Sequence, residues 1–196
     1  MSAQGAKVLR LSFLRDLPLT RRAVAFAGER YGDQRRPADG APFLLHPLEV
    51  AALLKREGYP DPVIGAAVLH DVLEDTGANR EDLEVSFGSE VSGLVAVVSD
   101  DDSIADDERR KDDVRERVRH AGEAALAVYA ADKISKAREL RMLLARGLTP
   151  EEAAVKHRRY RKSLDMLEEQ MSDARLVEVL RFELEALEQL PPQRSA

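Results

Sequence analysis

The chain has 196 residues, 44% hydrophobic and 34% charged, with few aromatics and no tryptophan or cysteine. That composition suits one soluble globular domain with a Leu-, Val- and Ala-rich core, and it excludes disulfides and thiolate metal sites. A net charge of −6 disfavours broad nucleic-acid binding, and no apolar run approaches the ~18 residues that span a bilayer.

Helix signals run the length of the sequence, and strand signals are almost absent. Residues 1–19 lack the apolar region of a leader peptide, which predicts a cytoplasmic protein. The first several residues and the tail Pro191–Ala196 are expected to be loose. Thr20 is placed to cap a first helix through Ala23, Val24, Phe26 and Ala27 that ends near Gly32. A polar loop follows from Asp33 to Gly40. Pro47, at a first helical position, opens a second helix through Leu48, Val50, Ala51, Leu53 and Leu54, stopped by Gly58. Asp61-Pro62 repeats a cap-then-proline signature and opens a third helix, expected to run to Gly77.

Asn79 caps a short helix to Phe87, Gly88 breaks it, and Glu90 to Val98 forms the next. An acidic loop, Asp100 to Glu108, leads into a charged helix from Glu108 to Arg119. Ala124 to Arg146 reads as one long helix whose first half is buried. Thr149-Pro-Glu-Glu152 is a capping box. It starts helical structure that continues to about Leu190, with a break near Ser172-Asp173. The predicted architecture is a single all-α domain of about eight helices spanning residues 1–196.

Within the third helix, Val68-Leu-His-Asp-Val-Leu-Glu-Asp-Thr76 is unusual. Apolar residues surround His70, Asp71, Glu74 and Asp75, and no Lys or Arg lies between Val63 and Gly77. Burying such groups is unfavourable unless something binds them. On a helix, His70–Glu74 and Asp71–Asp75 are i,i+4 pairs, and all four fall within an arc of roughly 140°. The pattern points to a metal site with catalytic carboxylates beside it. Two further ligand candidates stand at the ends of apolar segments: His46 after Phe43-Leu-Leu45, and Asp132 after Ala125-Leu-Ala-Val-Tyr-Ala-Ala131. Two imidazoles and two carboxylates without sulfur suit Mn²⁺, Fe²⁺ or Zn²⁺. A divalent ion lowers the pKa of its bound water, and Glu74 and Asp75 are placed to orient or deprotonate that water.

His46…His70-Asp71…Asp132 resembles the metal signature of the HD phosphohydrolase superfamily. The fuller pattern is Gln34-Arg-Arg…Gly40-Ala-Pro-Phe-Leu-Leu-His-Pro-Leu-Glu-Val-Ala51, Ala67-Val-Leu-His-Asp-Val-Leu-Glu-Asp-Thr76, Phe87-Gly88 and Ala130-Ala-Asp-Lys133. It resembles the hydrolase domain of RelA/SpoT proteins over residues 20–170, in the form of a small alarmone hydrolase. The resemblance implies an HD-type fold and Mn²⁺-dependent removal of the 3′-pyrophosphate of guanosine tetra- and pentaphosphate. It makes Glu74 and Asp75 the catalytic carboxylates.

The resemblance also assigns substrate contacts. Arg35, or its neighbour Arg36, falls where the family arginine packs on the base, and Tyr160 matches a tyrosine near the nucleotide. Three positions depart from the family: Asp106 replaces a phosphate-binding lysine of some relatives, Lys136 the usual asparagine, and Lys156 an arginine. Both lysines can still bind phosphate as point charges. The altered positions leave open another nucleotide substrate, an adenosine-type alarmone or NADPH. A third reading is a catalytically silent nucleotide-binding partner. The expected partners are the nucleotide and, compatibly with the sequence, a second copy in a homodimer, but neither nucleic acid nor membrane.

Overall fold

A computed structural model describes residues 14–189. The expectations about the first several residues and the tail 191–196 lie outside the described residues. The described chain is all-α, with ten helical segments: α1 (Pro18–Tyr31), α2 (Leu45–Arg56), α3 (Asp61–Leu69), α4 (Val72–Asp75), α5 (Arg80–Phe87), α6 (Ser89–Val98), α7 (Asp107–His120), α8 (Glu123–Ala145), α9 (Pro150–Met171) and α10 (Arg175–Glu188). Beyond these, an isolated bridge joins Arg35 to Pro42. No described helix is long and apolar enough to cross a membrane.

The count exceeds eight chiefly because the expected third helix is broken. In a continuous helix the Glu74 N–H would bond to the His70 carbonyl, four residues back. Here the Ser99 hydroxyl, at the end of α6, faces that carbonyl at 3.1 Å and shares its proton between it and the Val95 carbonyl at 2.9 Å. Glu74 N turns instead to Asp71 O at 3.2 Å, and Asp75 N bonds the same oxygen at 2.9 Å. The chain therefore kinks at His70-Asp71 and makes one further turn, α4.

Helix α3 is the central post. Every residue from Val63 to Leu69 is buried, and it packs on α1, α2, α6 and α8. Full burial of each large apolar side chain stabilises the fold by about 1.5–3 kcal/mol. The fit is closest against α1: a Cβ on Gly65 would lie 2.2 Å from Leu19 Cδ2. The first half of α8 is buried without interruption from Ala125 to Asp132, matching the expectation for that segment. Both buried helices deliver polar residues to one place, His70-Asp71 after the last turn of α3 and Asp132 within α8.

Capping partly followed the sequence. Asn79 and Thr149 each form a capping box. Thr20 does not cap: α1 begins two residues earlier, at Pro18, and Thr20 is buried. Asp61 caps α1 across the helix pair instead. Its carboxylate accepts from Leu19 N at 2.8 Å, Thr20 N at 2.9 Å and the Thr20 hydroxyl at 2.6 Å. Asp61 is thus the first residue of α3 and serves the N-terminus of its neighbour. Likewise α2 starts at Leu45, so Pro47 lies within its first turn. Asp61→Ala should destabilise the protein by about 1–3 kcal/mol, above a single cap because several donors are stranded. Denaturant unfolding checks this, and a change below about 0.5 kcal/mol would refute the cross-helix cap.

The charged helices pair with one another. On α9, Arg159 reaches Asp107 Oδ2 at 2.6 Å and also bonds Glu108, both on α7, while His157 Nε2 lies 3.3 Å from Glu188 on α10. In the acidic loop, Asp100 pairs with Arg110 and Lys111 of α7. Asp106 caps α7 by accepting from Arg109 N at 2.8 Å.

Candidate metal centre

His46, His70, Asp71 and Asp132 converge from α2, the α3–α4 kink and α8, all buried. One donor atom from each lies within 4.8 Å of every other. His46 Nε2 stands 3.2 Å from both Asp71 Oδ2 and Asp132 Oδ1. His70 Nε2 stands 3.1 Å from Asp71 Oδ2 and 3.4 Å from Asp132 Oδ1. The two Nε2 atoms are 3.2 Å apart.

The surroundings fix which ring nitrogens carry hydrogen. His70 Nδ1 lies 2.7 Å from the Ala67 carbonyl, which only accepts, so Nδ1 donates. Ser135 gives its hydroxyl proton to Glu49 Oε2 at 2.8 Å and so accepts from His46 Nδ1 at 2.9 Å. Glu49 is in turn gripped by Arg138 at 2.7 Å, which also bonds Glu183 at 2.8 Å. In the neutral imidazoles both Nε2 lone pairs therefore face the two carboxylates. Four lone-pair donors aimed at one point repel unless a cation or a proton sits among them. Outer hydrogen bonds of this kind are what orient metal-binding histidines. Asp132 Oδ1 is fully buried and makes no hydrogen bond among the described residues, although Lys136 stands at ion-pair distance. The donor set fits a divalent metal ion.

Without metal, a proton fills the gap. Burial alone would depress the His70 pKa, but Asp71 and Asp132 outweigh it and carry it to about 10. Asp71 and Asp132 oppose their own burial through His70, Lys133 and Lys136 and titrate well below the carboxylate range. The stabilisation from His70 is complete below its ordinary 6.5 and lost as pH rises through about 10. Chelator-treated protein should lose thermal stability over that interval, and metal-saturated protein should lose much less. Parallel melting curves for the two forms would refute the exchange of proton for metal.

Glu74 and Asp75 lie beside the cluster. Glu74 is half-buried, and its Oε1 accepts from Asp100 N at 2.8 Å. Asp75 is exposed, with its carbonyl tied to Gln34 Nε2 at 2.9 Å. Partial desolvation by the surrounding protein first, and then the Asp71 charge, raise both pKa values from the ordinary carboxylate value, although the Asp75 side chain still reaches solvent.

Lys136 stands over the cluster, its Nζ 3.1 Å from Asp132 Oδ1 and 3.6 Å from Asp71 Oδ1. Tyr160 is half-buried near it: after burial, the Lys136 charge is the largest influence on its hydroxyl. Lys156 is half-buried one turn earlier on α9. The two loop arginines differ. Arg36 is buried and held by Asp39, with Glu139 Oε1 at 3.6 Å. Arg35 is exposed and makes no ion pair among the described residues.

Three contributors were given no role by the sequence. Lys133 grips the outer oxygen of Asp132 at 2.7 Å and lies 4.3 Å from the Tyr129 ring centroid. Glu49 and Ser135 orient His46. Their spacing was a usable signal, since Glu49 follows His46, and Ser135 follows Asp132, by three residues, about one helical turn.

Residues 23–158 match the family model described as HD domain. This chain belongs to the HD-domain family. Its HD domain is 36% identical over 135 residues to the guanosine-3′,5′-bis(diphosphate) 3′-pyrophosphohydrolase MESH1 of Xenopus tropicalis, covering 67% of this chain and 75% of that one. The human MESH1 is 38% identical over 121 residues, 60% of this chain and 67% of its own. Among solved structures, a metazoan orthologue of SpoT that hydrolyses ppGpp superposes with TM-score 0.77 at 29% identity, covering 88% of this chain and 97% of that one. The lmo0812 protein of Listeria monocytogenes superposes with TM-score 0.66 at 25% identity, covering 76% and 98%.

Proposed function

We propose that this HD domain is a metal-dependent 3′-pyrophosphohydrolase of guanosine tetra- and pentaphosphate, releasing pyrophosphate and leaving GDP or GTP. The observation that carries the reading is the buried His46–His70–Asp71–Asp132 convergence with two carboxylates at its side. Relatives named for this activity support the substrate. His46, His70, Asp71 and Asp132 would hold the ion, with Mn²⁺ the proposed occupant and Fe²⁺ or Zn²⁺ compatible with the nitrogen–oxygen donors. A divalent ion in this place lowers the pKa of water and offsets charge on the attacked phosphoryl group.

The protein's own groups do the rest. Glu74 and Asp75 orient the attacking water and take its proton. Their raised pKa values bring them nearer the working pH, where a general base is most effective. Glu74 is held by the Asp100 amide and is the better fixed of the two. Water adds to phosphorus as the bond to the 3′ oxygen breaks. The 3′ oxygen leaves with the proton that the carboxylate pair took from the water. Lys136 and Lys156 would face the phosphates, Tyr160 the sugar or base, and Arg35 the purine face. Arg35 is preferred to Arg36 because the Arg36 guanidinium is already engaged.

Metal-loaded protein should release pyrophosphate from guanosine tetraphosphate. Full metal loading without such release would reject the reading. One observation favours a second substrate reading: Lys136 at the centre puts a cation where the family pattern has an amide. A panel of guanosine tetraphosphate, adenosine alarmones and NADPH under identical conditions decides between them. Turnover of any of these would exclude the catalytically silent reading, against which the Glu74–Asp75 pair already stands.

A further inference from the structure

Tyr31 closes α1 and is 3% exposed. Its hydroxyl is fully buried and has no hydrogen-bond partner among the described residues. The ring is well placed: its centroid is 4.9 Å from that of Phe43, and Phe43 in turn is 6.1 Å from the imidazole of His46. This aromatic row links the end of α1 to the candidate ligand His46. The chain just beyond Tyr31 is tied to α4, since Gln34 N bonds the Tyr31 carbonyl at 3.0 Å and the Gln34 side chain bonds Asp75 O at 2.9 Å. The charges bearing on the hydroxyl are those of the site, Asp71, Asp75, Lys136 and Glu74.

A phenylalanine would fill this place equally well, without a stranded donor. An unpaired buried hydroxyl is unfavourable, and such groups in native proteins call for an explanation. Burial, followed by the charges of Asp71 and Asp75, keeps the phenol protonated far above neutral pH. It is therefore a permanent donor. Its surface is closed to bulk solvent, so whatever it donates to must be enclosed with it.

We propose that Tyr31 positions the attacking water: its hydroxyl donates to the water oxygen, leaving the water protons directed at Glu74 and Asp75. This inference rests on the phosphohydrolase reading, though not on the identity of the nucleotide. No bond is made or broken at Tyr31. The proton lost by the water goes to the carboxylate pair, and the phenol keeps its own.

The test compares wild-type and Tyr31→Phe proteins, both metal-saturated. Two substrates are used, guanosine tetraphosphate and bis(4-nitrophenyl) phosphate, which carries no nucleoside. Tyr31→Phe should lower kcat at least about tenfold on both, with KM within twofold and metal affinity unchanged. Its melting temperature in chelator should equal or exceed that of wild type, because the stranded hydroxyl has been removed. Wild-type kcat in the variant on both substrates would overturn the proposal. So would a lowered melting temperature accompanied by unchanged kcat, which would assign the hydroxyl a structural bond. Turnover of the aryl diester but not of the tetraphosphate by wild type would overturn the substrate assignment, and Tyr31 would still be judged on the diester.

Discussion

Asp71→Asn should weaken divalent-metal binding at least about 100-fold and lower pyrophosphate release at least about 1,000-fold, equivalent to roughly 3 and 4 kcal/mol. One oxygen of Asp71 faces both imidazoles, at 3.2 Å from His46 and 3.1 Å from His70. The other faces Lys136 at 3.6 Å. Asp132 faces the same three groups, but Lys133 also holds its second oxygen, which leaves Asp71 the less engaged of the two carboxylates. Asparagine preserves volume but brings an amide where a charged donor is required. The metal-free imidazoles also change, since Asp71 is the leading cause that holds the His70 pKa up. Equilibrium dialysis with Mn²⁺, with pyrophosphate measured on the same preparation, reads both effects. Asp71→Ala should lose activity as well, but it also leaves a buried gap, so the asparagine variant separates chemistry from folding. Metal affinity within a few-fold of wild type in Asp71→Asn would remove Asp71 from the ligand set.

The second large effect runs the other way. Lys136→Asn should tighten divalent-metal binding at least about tenfold, or ~1.4 kcal/mol, while lowering the melting temperature of the metal-free protein. Lys136 Nζ lies 3.1 Å from Asp132 Oδ1, the oxygen that also faces His46 and His70. The ammonium and an incoming ion therefore compete for the same carboxylates. Two unit charges about 4 Å apart interact by about 4 kcal/mol at an effective dielectric constant of 20. Most of that is offset, because an occupied site lets the lysine swing toward phosphate or solvent. Without metal the balance reverses: Lys136 is a major counter-charge for Asp71 and Asp132, and its loss leaves two buried carboxylates short of compensation. Dialysis and melting curves in chelator test the two halves independently. Unchanged metal affinity together with an unchanged metal-free melting temperature would show that Lys136 is only a bystander. If Lys136 also holds the substrate phosphates, KM should rise in the same variant.

By itself the sequence determined the helical class and most element boundaries, and it named the two histidines and two aspartates that the fold brings together as a candidate metal site. Local chemistry was enough for this. Asn79 and Thr149 cap their own helices through backbone groups three residues away, and those bonds are written in adjacent letters. A histidine and three carboxylates among apolar neighbours, with no cation nearby in sequence, are hard to bury for any reason except binding. Tertiary structure decided what depended on distant partners. Asp61 caps α1 from 41 residues away, so the cap was read at Thr20. Ser99, 29 residues from His70, faces the carbonyl that a continuous helix would have used, at the point where the expected third helix is split. Arg35 counts to the family position and Arg36 stands beside it, so the sequence left both as candidates for the base. Only Asp39 and Glu139, brought round by the loop and by α8, engage one and leave the other exposed. Nothing in the sequence singled out Tyr31, and only its burial at the end of α1 revealed a hydroxyl without a partner among the described residues. Short-range hydrogen bonds and periodicity are sequence properties. Which oxygen satisfies which donor across the core is fixed only once the helices have packed.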